Sequence, residues 1–113
     1  MITIYIKKDD FFANGLYVDG KVIVLQGSTI NPSFANYIKG INDAKRHRDD
    51  KESVNQNCEV LKDIEFSSPS TAAQFVMGQS RDGYDAWKVE DGRSLGHFLE
   101  ENGLRARKRR KKD

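Results

Sequence analysis

Ile2, Ile4 and Ile6 alternate with Thr3, Tyr5 and Lys7, the period-two pattern of a strand with one buried face. Two further apolar runs, 15–18 and 21–26, are joined by Asp19-Gly20, a dipeptide suited to the positive φ values of a two-residue hairpin turn. After the Asn31-Pro32 break the period changes. Phe34, Tyr37, Ile38 and Ile41 recur at i, i+3, i+4 and i+7, which predicts a helix starting near Ser33. Residues 43–56 are almost wholly polar and place Lys45/Asp49, Arg46/Asp50 and Arg48/Glu52 at i, i+4, so they read as a solvated helix extension or a loop.

The run 60–66 predicts another strand. Ser68 then fits an N-cap, Pro69 the first helical position, Ala72, Ala73 and Val76 a close-packed helical face, and Gly78 the C-terminal stop. Asp82-Gly83 and Asp91-Gly92 predict turns flanking a short strand over 86–89 that contains Trp87, and Leu95, Phe98 and Leu99 mark a last helix ending at Gly103. The expected order is β-β-β-α-β-α-β-α. With hairpins and few parallel crossovers, the economical assembly is α+β: a mainly antiparallel sheet with helices packed on one face.

A chain of 113 residues supports one core, so a single α+β domain over 1–104 and a tail over 105–113 are expected. No apolar run reaches the length of about 20 residues that a membrane helix needs, and the N-terminus reads as a strand rather than a secretory signal. The single Cys58 gives no sign of an oxidising compartment, so a cytoplasmic setting is the expectation.

Charge changes the picture more than composition does. The net charge is +2, yet residues 1–104 hold 12 Lys or Arg against 16 Asp or Glu, and residues 105–112 hold seven Lys or Arg with Asp113 the sole acid after them. The body is thus about −4 and the tail +6. Arg105, Arg107, Lys108, Arg109, Arg110, Lys111 and Lys112 cannot pack together and read as a disordered, solvated segment suited to nucleic acid, to docking onto the acidic body or an acidic partner, or to a solubility or targeting role.

Two stretches carry a family resemblance. They are Gly15-Leu16-Tyr17-Val18-Asp19-Gly20-Lys21-Val22-Ile23-Val24-Leu25-Gln26-Gly27-Ser28, and Phe66-Ser67-Ser68-Pro69-Ser70-Thr71-Ala72-Ala73 continuing through Gly78 to Gly83-Tyr84-Asp85-Ala86-Trp87-Lys88 and Asp91-Gly92-Arg93-Ser94-Leu95. Together they resemble the domain-of-unknown-function family numbered 4357, often found C-terminal to GIY-YIG nuclease domains or as a short standalone protein. The second stretch is more distantly similar to the RAMA domain, a module associated with restriction enzymes and adenine methylases. Two features depart from the usual family pattern: the charge-dense residues 43–56, and Tyr84 before Asp85. The resemblance implies nucleic acid as a partner, DNA ahead of RNA, and a nuclease or methylase on a separate chain.

Ser67, Ser68 and Ser70 are candidates for phosphate contact at a helix N-terminus, with plain capping as the alternative. Tyr84 and Trp87 are candidates for base stacking, with core packing the alternative for Trp87. Arg81, Lys88 and Arg93 would supply backbone charge if the fold brings them together. His47 and His97 lack ligand-spaced neighbours and read as surface residues; no catalytic or metal site and no cofactor is expected. The reading is a non-catalytic nucleic-acid-associated module, with a protein-interaction or assembly module as the alternative.

Overall fold

A computed structural model describes residues 1–35 and 43–104. Strands β1 (Ile2–Lys7), β2 (Phe12–Val18), β3 (Lys21–Val24) and β4 (Ile64–Phe66) form one antiparallel sheet in the order β1-β2-β3-β4. Asp19 and Gly20 both have positive φ, 49° and 85°, as the hairpin turn between β2 and β3 requires. The predicted strand and hairpin are therefore present, with β2 extended back to Phe12.

Register sorts the side chains. Ile4, Gly15, Val24 and Ile64 pair across the sheet and face the core, and the separate pairs Ile6–Ala13 and Val22–Phe66 face it too. The intervening row, Thr3, Leu16, Ile23 and Glu65, lies on the opposite face.

Helices α1 (Asp43–Asp49), α2 (Pro69–Met77), α3 (Gly83–Ala86) and α4 (Leu95–Glu101) complete the fold. Helix α2 lies against β3 and β4; α1 and α3 pack on α2, and α4 on α3. This is the α+β arrangement with helices on one face. Its core joins Ile4, Ile6, Val22, Val24 and Phe66 to Ala72, Ala73, Phe75 and Val76 of α2, and to Trp87, Leu95 and Leu99.

The C-terminus of α2 shows why the chain before α1 runs where it does. A helix leaves its last carbonyls without intrahelical donors. Here Arg48 Nε donates to the Phe75 carbonyl (2.8 Å), Asn31 N to Val76 (2.9 Å), Asn31 Nδ2 to Met77 (2.9 Å) and Ala35 N to Gly78 (2.7 Å). Gly78 adopts the left-handed cap conformation, φ 71°. Residues 31–35 and Arg48 are thus bound to the end of α2.

The strand expected over 60–66 contracts to Ile64–Phe66, and three further local expectations change. Residues 33–35 are not helical, and Tyr37, Ile38 and Ile41 lie outside the described residues. The 43–56 segment divides into α1 and a turn whose Val54 bridges Val60. The expected strand over 86–89 contracts to Lys88, which bridges Tyr5 on the outer edge of β1 and Ser94 on its other side; the residues before it form α3. The sheet is thereby continued beyond β1 by a single residue of a tight hairpin.

Candidate functional site

The serines before and within the first turn of α2 are largely committed to the fold. Ser68 Oγ accepts from Thr71 N at 3.1 Å with the extended backbone of an N-cap (φ −151°, ψ 155°) and lies 3.0 Å from Thr71 Oγ1. Ser70 Oγ accepts from Gly83 N at 2.9 Å and so joins the start of α3 to α2. Ser67 is exposed. Of the three, it is the one whose hydroxyl is open to solvent.

That joint is tight. A Cβ built on Gly83 would fall 2.1 Å from the Pro69 carbonyl carbon, so the residue at this point must be glycine. Trp87, one turn later, donates Nε1–H to the Pro69 carbonyl at 3.1 Å and has 0% of its surface exposed. Its ring lies over Gly15, where a Cβ would sit 3.3 Å from two indole carbons. Trp87 is therefore a core anchor, as the core-packing reading has it, and its candidacy for base stacking is corrected: a fully buried ring has no face to offer a base. Tyr84 stays half-buried with its ring edge-on to Tyr17, centroids 6.3 Å apart.

The three basic candidates are held by separate local contacts. Arg81 is exposed and donates to Gln79 Oε1 at 3.1 Å. Lys88 Nζ donates to the Asp85 carbonyl at 2.9 Å. Arg93 is bound on two sides by carboxylates, Asp91 (2.8 Å) and Glu101, and its guanidinium lies 5.2 Å from the Phe98 ring centroid. These bonds hold Asp91 below the usual carboxylate range and push Arg93 up, while Glu101 is held low first by its bond to His97 and then by Arg93. Arg93 is thus matched by acid rather than available to phosphate. Arg105, Arg107, Lys108, Arg109, Arg110, Lys111 and Lys112 lie outside the described residues.

The model of the family described as "Domain of unknown function (DUF4357)" matches residues 4–99. The chain belongs to that family. No curated protein and no solved structure matches it. In this DUF4357 chain the matched span runs from within β1 into α4, so it takes in all of the sheet but Ile2 and Thr3, together with the α2–α3 joint.

Sequence reasoning missed the inward face of α1. Ala44 is buried; His47, three residues on, packs edge-on to Phe66 (5.3 Å) and Phe75 (6.5 Å); and Arg48, four on, reaches the Phe75 and Asn31 carbonyls with its guanidinium 5.0 Å from the Phe34 ring centroid. Arg48 is pushed down to about 10, chiefly by burial, and His47 is lowered by burial and then by Arg46. The expectation that His47 is a surface residue is corrected accordingly, as is the Arg48/Glu52 pairing. The 44/47/48 spacing was the available signal. Lys45 does pair with Asp49 at 3.0 Å, whereas Arg46 turns back to Asp43. His97 is exposed, with Nε2 2.8 Å from Glu101 Oε2. Asp82 and Asp91 accept backbone N–H groups two residues on, from Tyr84 and Arg93, as turn residues do.

Among the described residues no three His, Cys, Asp or Glu side chains are placed to hold a metal ion. No helix among them is long and apolar enough to cross a membrane.

Proposed function

We infer that this DUF4357 chain is a non-catalytic nucleic-acid-associated module of the cytoplasm, in which residues 105–112 supply the affinity and the folded body supplies the attachment to other proteins. The observation that carries the reading is the separation of charge: seven Lys or Arg in eight positions, joined to a body with 12 basic and 16 acidic residues. A body of that sign repels phosphate, and several of its own candidates are spent. Trp87 is buried, Ser68 and Ser70 bond within the fold, and Arg93 is paired with acid. Ser67, Arg81, Lys88 and Tyr84 remain as secondary contacts. Affinity of this kind comes from counterion release and carries little sequence preference, so it suits a subunit that holds a partner on DNA while the partner supplies the chemistry. A nuclease, a methylase or another component of a defence system is the class of partner we propose.

Salt dependence tests it. Each neutralised phosphate of duplex DNA contributes a slope of roughly −0.9 in log affinity against log salt, so seven basic residues bound the slope near about −6. The expected slope lies between about −4 and −6; a value near zero would overturn the reading.

The open sheet face favours a second reading, a protein-interaction or assembly module without nucleic acid. Leu16 and Ile23 sit half-buried on the face opposite the core, beside Tyr5 and Phe12, whose rings meet edge-on at 6.2 Å. Phe12 is 45% exposed. If this face binds a partner, Ile23→Glu loses the partner in co-purification and leaves the unfolding midpoint nearly unchanged.

A further inference from the structure

A groove of about 350 Å³ runs between the start of β1 and the hairpin that leads into α4, lined by Ile2, Thr3, Val89, Glu90, Asp91, Arg93 and Phe98. Its floor is apolar, from Ile2, Val89 and Phe98, and its rim is charged. Arg93 is already matched by Asp91 and Glu101, while Glu90 is exposed and its carboxylate makes no ion pair or hydrogen bond among the described residues. The lining thus holds two acids, Glu90 and Asp91, against one guanidinium, and Glu101, which reaches Arg93 from outside the lining, is also bonded to His97.

An apolar floor with a surplus of carboxylate on its rim suits side chains that are aliphatic along the stem and cationic at the tip. Residues 105–112 hold seven of them. The same segment follows directly from α4, the helix that contributes Phe98 to the groove and, through Glu101, a carboxylate to Arg93. Helix α4 is about 10 Å long, whereas the nine residues of 105–113 reach about 30 Å when extended. Length and charge therefore both allow the segment to return to the groove of its own body.

We propose that this groove is the docking site for the chain's own basic segment, residues 105–113, and that docking withholds the segment from competing polyanions. A basic side chain held in the groove cannot neutralise a phosphate at the same time. The apparent affinity for nucleic acid falls by the fraction of time the segment is undocked, so half-occupancy of the groove weakens it about twofold. This consequence for nucleic acid rests on the function inferred above; the docking itself does not.

The test uses the full chain with a nitroxide spin label at Asp113→Cys in a Cys58→Ser background, read by backbone amide NMR. At low salt the expected result is line broadening concentrated on residues 2–3, 89–93 and 98, reduced by Glu90→Gln and lost at high salt, where screening removes the attraction. Glu90 is exposed, so this substitution leaves the fold intact. Broadening spread evenly over the body, or absent from these residues, overturns the proposal. Duplex DNA binding of the unlabelled protein gives the second readout, with Glu90→Gln expected to bind about twofold tighter than the parent. Localised broadening without DNA binding upholds the docking and sinks the nucleic-acid function; DNA binding without localised broadening sinks the docking and spares the function.

Discussion

Trp87 Nε1 and the Pro69 carbonyl, 3.1 Å apart, join the residue after α3 to the first turn of α2 across a core in which the indole is wholly buried. The bond explains why residues so far apart in sequence form one unit. The indole fills the space above Gly15, Gly83 meets the Pro69 backbone, and Ser70 Oγ accepts from Gly83 N. Trp87→Phe, which leaves the Pro69 carbonyl without its donor and opens a small void, is expected to cost about 2–3 kcal/mol. Gly83→Ala should cost at least about 2 kcal/mol, because its methyl group has backbone on the other side. Urea unfolding measures both, and losses under about 0.5 kcal/mol would contradict this packing.

Arg48 is expected to be the costliest charged residue of α1 to remove. Arg48→Met keeps much of the aliphatic stem but leaves the Phe75 and Asn31 carbonyls without a donor, at a cost of about 2 kcal/mol. Lys45→Ala, which breaks an exposed pair with Asp49, is expected to change stability by at most about 0.5 kcal/mol. Equal effects of the two substitutions in an unfolding titration would contradict the capping of α2 by Arg48.

His47 gives the fold a dependence on pH. Burial against Phe66 and Phe75 lowers its proton affinity below the ordinary value of 6.5, so the unfolded chain binds the proton more readily than the folded one. Its contribution is present above about pH 6.5 and is lost as pH falls through the lower folded value. His47→Gln should flatten the decline in unfolding free energy between pH 7 and pH 5. A parent protein whose stability is level across that range would rule out the burial of this ring.

Basic residues should divide into two classes on duplex DNA. Arg109→Ala is expected to weaken binding on every sequence alike and to reduce the salt slope by about 1. Arg93→Ala should leave the slope unchanged, since its charge is already balanced by Asp91 and Glu101. A larger effect at Arg93 than at Arg109 would place the interface on the body.

Much of this architecture was legible in residue order because it depends on neighbours along the chain. The 2-4-6 alternation of isoleucines, Asp19-Gly20 and Ser68-Pro69 each specify local geometry, and each appears where the pattern places it. What escaped depends on partners distant in sequence. Arg48 has Glu52 at i+4, so its choice of the Phe75 carbonyl, 27 residues away, could not be read from pairing rules. Trp87 was open between core and surface until the Pro69 carbonyl and Gly15 were found against it. Arg93 looked like a free cation because Glu101 becomes its neighbour only when α4 folds beside the hairpin. The candidate site was legible as residue types and not as availability.

The most direct measurement is a binding titration at low salt on duplex DNA with the full chain and with a chain ending at Leu104, whose residues contain the whole described core. The account predicts that the full chain binds with a steep salt dependence and that the shortened, acidic body loses at least about tenfold in affinity. Equal binding by the two chains would contradict it and return the interface to the folded domain.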